Sequence, residues 1–287
     1  MLAGCEKVPE PAGHVEKKMT QTFAIGVFPE QNIFKQIDRY EPLAAYLSQK
    51  VGVKFELVAL TRYGNIIENF VSTGLDGAFF GSFSYVLAHT RLGLEPLARP
   101  EDLNGKSTYC GLLVTRKDSG IETIEEMKGK RFAFVDKGTM AGYLFPLRYF
   151  KDHGVENYQE YLGEVYFTGS HSAAVQDVLN NRTDIGVVKD TVFDRMVESE
   201  PQIADQLVVL AKSPYVPENA FAVRSDIDPA IKQKMKKALL EMHADPEGMK
   251  VLESFGARKF IETRHADYQP VYEYAKAVGL DISTYNY

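Results

Sequence analysis

The feature that most restricts this chain is its alternation. From Phe23 onward, short β-rich apolar runs and longer stretches with helical spacing follow one another with few interruptions. Phe23–Phe28 is a strand-sized run ended by Pro29. Tyr40–Val51 places Leu43, Ala44, Leu47 and Val51 on one helical face and stops at Gly52. The pattern continues with a strand over Phe55–Leu60, a helix over Asn65–Ser72, a buried strand over Gly77–Phe80 and a helix over Ser84–Arg91. Beyond it come strands at Tyr109–Arg116, Arg131–Val135, Glu164–Phe167 and Ile185–Val188. Helical segments at Thr123–Met127, Gly142–Asp152, Ser172–Asn180 and Thr191–Ser199 lie between or after them. Strands joined through helices predict an α/β protein, with parallel sheets covered on both faces.

The alternation contains an internal echo. Tyr63-Gly64-Asn65-Ile66-Ile67-Glu68-Asn69-Phe70, running on to Asp76-Gly77-Ala78-Phe79-Phe80, is matched in style by His171-Ser172-Ala173-Ala174-Val175-Gln176-Asp177-Val178 and Asp184-Ile185-Gly186-Val187-Val188. Tyr63 precedes Asp76, and His171 precedes Asp184, by the same thirteen positions. Ordinary βαβ similarity produces such a pattern without a shared role; a true repeat predicts two similar lobes with a cleft between them. Ligands of open α/β sheets bind beyond the carboxyl ends of the strands, so the strand-to-helix turns are the places to search.

Four turns carry suitable chemistry. Gly81-Ser82-Phe83-Ser84-Tyr85 combines a helix start with two hydroxyls, which suits an oxyanion, although a plain serine cap has the same sequence. Lys137-Gly138-Thr139-Met140-Ala141-Gly142 has two glycines that allow close backbone approach and a threonine hydroxyl. Thr168-Gly169-Ser170-His171-Ser172 offers an imidazole donor. Lys189-Asp190-Thr191 is either a solvated cap or, if it faces the cleft, a cation for a negatively charged ligand.

Composition narrows the function. The net charge of −6 comes with no basic stripe, which argues against nucleic acid but not against a small anion held by local donors. No apolar run approaches the ~20 residues that span a bilayer. No nucleophile elbow, phosphate-binding Walker loop or H-E-x-x-H motif is present, and the six histidines lack metal-ligand spacing. The chain is therefore expected to use no cofactor or metal. Cys110 lies in a strand-like run with no histidine near it in sequence and reads as a buried small residue. Leu2-Ala3-Gly4-Cys5 has the form of a lipobox, with Cys5 as the lipidated residue, although the charged and apolar regions of a leader do not stand before it. The expectation is a chain that starts inside its leader, with a lipobox remnant and a flexible polar tether (Glu6–Gln21) together making up 1–21.

On these residues the sequence resembles the substrate-binding proteins of phosphate, phosphite and phosphonate ABC transporters. The matching stretches are Ile25-Gly26-Val27-Phe28-Pro29-Glu30, Arg39–Leu47, Asp76–Gly81 with Ser84–Ala88, Lys117–Ile121, Gly129-Lys130 with Phe132–Asp136, Gly142-Tyr143 with Pro146, Phe167 with Gly169-Ser170-His171, and Pro217 leading to Val223-Arg224. The resemblance implies a type 2 periplasmic binding protein fold of two α/β lobes joined by two hinge strands. Residues 22–108 with 214–287 would form one lobe and 109–213 the other. It also implies a binding protein, not an enzyme, that delivers a small phosphorus oxyanion to a membrane permease from the periplasmic or cell-surface side, anchored through Cys5. By family likeness Tyr63, Tyr85, Thr139 and His171 match positions that hold the anion. With the turns read above, the expected ligand set is Tyr63, Ser82, Tyr85, Gly138, Thr139, Met140, Ala141, His171, Lys189, Asp190 and Asn219.

Two departures stand out. Relatives usually carry Ser-Thr-Ser where this chain has Thr139-Met140-Ala141, so two hydroxyl donors are replaced and only backbone amides remain there. At the fourth turn Lys189 stands where binders of aminoalkyl phosphonates place acids, with Glu218 and Asn219 nearby in role; an inward Lys189 disfavours an amine-bearing tail. A sensor module for a signalling partner, a binder of another small anionic or organic solute, and an enzyme using Cys110 are the competing expectations.

Overall fold

Two parallel trios of strands organise the protein. The computed structural model describes residues 21–60 and 62–286. The first sheet is built from β1 (Thr22–Val27), β2 (Lys54–Ala59), β3 (Gly77–Phe80) and β4 (Glu95–Asp102), with β12 (Ala220–Val223) and β13 (Ala257–Glu262) returning from the C-terminal part. The second contains β6 (Gly111–Arg116), β7 (Phe132–Phe134), β8 (Val165–Phe167), β9 (Ile185–Lys189) and β10 (Leu207–Lys212). Between them β5 (Thr108–Tyr109) and β11 (Val216–Pro217) pair antiparallel as a short ribbon that carries both crossings between the lobes.

The strand order in the first sheet is β13-β4-β12-β3-β1-β2, and in the second β10-β6-β9-β7-β8. In each, a central strand (β1 or β7) is flanked by two parallel partners. The echo noted in the sequence is thus a repeat of topology, β2-β1-β3 against β8-β7-β9. Antiparallel strands extend both trios, so the sheets are mixed.

The helices follow from capping and apolar spacing. In the first lobe they are α1 (Ile33–Val51), α2 (Ile66–Ser72) and α3 (Ser82–Leu92); in the second, α4 (Phe145–Asp152), α5 (Tyr158–Tyr161), α6 (His171–Leu179), α7 (Asp190–Ser199) and α8 (Gln202–Gln206). The C-terminal part adds α9 (Pro229–Glu241), α10 (Pro246–Phe255) and α11 (Gln269–Ala277). Helix α1 starts seven residues before the apolar pattern suggests: the Asn32 side chain caps Phe34 and Lys35, and Pro42 is carried inside the helix. Strand β4 was hidden by its two prolines, Pro96 and Pro100, and is held by β12 and β13 on either side.

One apolar layer packs α1, α9 and α10 against the first sheet, with Tyr40, Leu43, Leu47, Phe79 and Phe255 in it. A second runs from Phe80 and Phe83 in the first lobe to Phe132, Phe134 and Leu144 in the second. A third covers the outer face of the second sheet through Leu112, Val175, Val188 and Ile203. The C-terminal segment touches both lobes. Lys151 at the end of α4 donates to the Ala277 carbonyl at 2.9 Å, the Tyr285 hydroxyl donates to the Lys137 carbonyl at 3.1 Å, and the Asn65 amide donates to Asn286 at 2.7 Å.

Candidate ligand-binding cleft

The carboxyl ends of β1, β3, β7, β8 and β9 converge between the lobes. There a small enclosed cavity is lined by Tyr63, Gly138, Thr139, Met140, Ala141, His171, Lys189 and Asn219, eight of the eleven residues expected from sequence. Glu30, Gly81, Ser84 and Tyr109 complete the wall. The cavity volume is about 10 Å³, room for one water at most.

Three expected residues lie elsewhere. Tyr85 is fully buried, packs on Tyr268 with ring centroids 4.4 Å apart, and its hydroxyl lies 3.2 Å from His265 Nδ1. Successive helical residues are rotated by roughly 100°, so of Ser84 and Tyr85 only one can face the cleft, and Ser84 does. The Ser82 hydroxyl is used by the Tyr109 hydroxyl at 2.6 Å and sits behind the wall. Asp190 turns away: one carboxylate oxygen accepts the Thr191 N–H at 2.8 Å, and the other receives the Cys110 thiol at 3.3 Å. Burial and then the Asp190 charge push that thiol up to about 12, so Cys110 is not poised as a nucleophile.

The second-lobe wall is shaped by a widened helical turn over Met140–Leu144 that runs into α4. Its wide closure shows in the Leu144 N–H reaching the Thr139 carbonyl at 3.2 Å. The first amides of this turn, at Met140 and Ala141, have no partner within the helix and stand at the cavity. Gly142 makes the turn possible: a Cβ there would lie 2.4 Å from Val135 Cβ and 2.6 Å from Thr139 Oγ1. The Thr139 hydroxyl already donates to the Asp136 carbonyl at 2.6 Å, so it must rotate before it can donate to a ligand.

His171 opens α6 and is buried. Its Nδ1 accepts the Lys189 backbone N–H at 3.2 Å, which places the ring proton on Nε2. Burial lowers its pKa to about 3, Lys189 and Arg195 adding to the effect against the pull of Glu30, so the imidazole is neutral and offers an N–H. Tyr63 stacks on Phe28 at 5.6 Å, and burial followed by the Glu30 charge raises its phenol well above the ordinary range, keeping the hydroxyl protonated.

Lys189 points inward. Its ammonium, at the end of β9, donates to Glu30 at 3.0 Å, to Asn219 at 2.9 Å and to Glu218, and lies 4.4 Å over the Tyr109 ring. Burial alone would lower the lysine pKa; Glu218 and Glu30 outweigh it and raise it. Burial likewise would raise Glu30, but Lys189, Arg195, Arg39 and His171 together hold it well below the usual carboxylate range. Asn219 also donates to Glu30 at 2.9 Å, and the Glu30 carbonyl accepts the His171 backbone N–H at 3.0 Å. Glu30 is thus the hub of the contact between the lobes. Its sequence signal was an acid directly after a buried strand and a proline; Tyr109 gave no such signal, reading as plain strand.

Two mixed-sheet lobes, a two-strand hinge and a donor-lined pocket at converging strand ends define a periplasmic binding protein. The family model described as ABC transporter, phosphonate, periplasmic substrate-binding protein matches residues 25–268, and the chain belongs to that family. It is a binding protein rather than an enzyme. It is 26% identical over 245 residues to the phosphate-import protein PhnD of Mycolicibacterium smegmatis, covering 82% of this chain and 76% of the relative. A binding protein component of an ABC phosphonate transporter from Pseudomonas aeruginosa superposes with a TM-score of 0.82 at 24% identity, covering 88% of this chain and 85% of that one. PhnD1 from Prochlorococcus marinus in complex with methylphosphonate superposes with a TM-score of 0.79 at 20% identity, covering 89% and 97%.

Proposed function

We propose that the chain captures a compact phosphorus oxyanion without an amine tail, such as phosphite, phosphate or methylphosphonate, and hands it to an ABC permease. The ligand is held by the His171 Nε2–H, the amides of Met140 and Ala141 and the hydroxyl of Tyr63, with Ser84 joining once its hydroxyl rotates off the Gly81 carbonyl. Residues 22–108 with 214–287 move against 109–213 as the cleft closes. Cys5, which lies outside the described residues, carries the lipid that keeps the protein at the outer face of the plasma membrane.

The observation that carries the ligand assignment is the Lys189 ammonium, which fills a socket of Glu30, Glu218 and Asn219 beside His171. A ligand ammonium would have to displace a covalently attached one, whereas a short oxyanion has no such competitor. The relatives named for phosphate import and seen with methylphosphonate agree with a small ligand. Thermal melts with phosphate, phosphite, methylphosphonate, 2-aminoethylphosphonate and sulfate test this. At least one of the first three should raise the melting temperature, and 2-aminoethylphosphonate should raise it least among the phosphorus compounds. A largest shift from 2-aminoethylphosphonate, or none from any phosphorus compound, refutes the assignment.

A further inference from the structure

A cavity much larger than the oxyanion pocket lies beside it in the cleft. On the far side of Lys189 a space of about 470 Å³ opens between α1 of one lobe and α7 of the other. Among the described residues four buried side-chain polar atoms lack a hydrogen-bond partner, and three of them, Arg39 Nε, Thr191 Oγ1 and Arg195 Nε, belong to residues that line this one cavity. Native proteins pair nearly all such atoms; these three are themselves covered by protein, so it is the remaining guanidinium nitrogens of Arg39 and Arg195 that can meet a ligand in this space. Arg39 comes from α1 and Arg195 from α7, so two guanidinium groups face one space from opposite lobes. Burial, and next the charge of Arg39, depress the Arg195 pKa, outweighing the opposite pull of Glu30 and Glu218. The acids nearby are committed or exposed. Glu30 and Glu218 hold Lys189, Asp102 accepts the amides of Asn104 and Lys106, and Asp194 and Glu198 face solvent. The rest of the wall is partly aromatic, with Tyr40, Phe79 and Phe255, and the Arg39 guanidinium lies 5.1 Å over the Phe255 ring.

We propose that this cavity is a second ligand site, for an organic anion. An oxyanion head, carboxylate or phosphate ester, is gripped by Arg39 from one lobe and by Arg195 from the other, while an apolar body lies against Phe79 and Phe255. Planar guanidinium forks suit both heads. The site does not depend on which solute fills the pocket at His171. Because its two arginines belong to different lobes, its occupant favours the closed form.

Calorimetric titration of benzoate and of phenyl phosphate, with benzyl alcohol as the uncharged control, tests the assignment and separates the two heads. At least one of the two anions should bind with one equivalent and benzyl alcohol should not. Arg39→Gln and Arg195→Gln should each weaken binding about 10- to 100-fold, while His171→Ala leaves it unchanged. Arg39 covers Phe255, so if Arg39→Gln melts early, Arg195→Gln alone decides. The proposal is overturned if neither anion binds up to about 10 mM, weaker than ordinary millimolar recognition. It is equally overturned if folded Arg195→Gln binds like wild type, or if binding is lost in His171→Ala and kept in the arginine variants.

Discussion

Lys189→Met keeps the length of the side chain and removes its charge. Lys189 is 2% exposed, and the variant leaves Glu30 and Glu218 facing each other in a buried space with Asn219 between them. Removing one partner of a buried ion pair costs about 3–5 kcal/mol. That penalty falls on closure rather than on folding as a whole. Lys189 ends β9 in the second lobe, while Glu30 follows β1 and Glu218 and Asn219 follow the hinge ribbon, so an opened cleft lets both carboxylates hydrate. At about 1.4 kcal/mol per tenfold, the closed-to-open ratio drops by roughly 100- to several-thousand-fold. Small-angle scattering of the free protein should show a larger radius of gyration for the variant, with its secondary structure retained. Calorimetry should show weaker phosphite binding together with a gain for 2-aminoethylphosphonate relative to methylphosphonate, because the ligand ammonium enters the vacated socket. An unchanged radius with an unchanged ligand preference would refute the reasoning that the lysine both latches the lobes and excludes amines.

Two further outcomes follow from the cleft. The His171 pKa falls from 6.5 in the unfolded chain to about 3 in the folded one, so the native state binds fewer protons between those values. Stability is therefore fully present above pH 6.5 and is lost as the pH falls toward 3, at about 1.4 kcal/mol per pH unit from this one group; melts across pH 7 to 4 should show the slope, and His171→Asn should flatten it. Gly142→Ala must push Val135 or the Thr139 hydroxyl aside, because its Cβ falls 2.4 Å and 2.6 Å from them. A loss of about 1–3 kcal/mol in denaturant unfolding, with weakened phosphite binding, is expected, and wild-type values for both would contradict the packing described.

Much of the cleft was legible because its parts are local. A turn after a buried strand, with glycine, serine, threonine or histidine at a helix start, is a pattern of neighbours in sequence, and Thr139, Met140, Ala141 and His171 were found that way. Tyr63 was found through the repeat, which the paired trios β2-β1-β3 and β8-β7-β9 explain. What escaped depends on direction and distance. Whether Ser84 or Tyr85 faces the cleft is set by how α3 packs on Tyr268 in the turn before α11, which no local motif encodes. Glu30 and Lys189 stand 159 positions apart, and their pairing exists only once both sheets and the hinge are built. Strand β4 was missed because its prolines argue against a strand, while β12 and β13 supply the neighbours that hold it.

The tail bonded to both lobes limits how the molecule can breathe. The hinge ribbon ties one border of the cleft, while Ala277 on Lys151 and Tyr285 on Lys137 tie another. In the proposed closure, a rotation that spares both ties turns about the line joining them, so the halves would gape along a single border instead of flapping freely. In the opening proposed above, the border left to swing is where α1 confronts α7 across the cavity at Arg39 and Arg195.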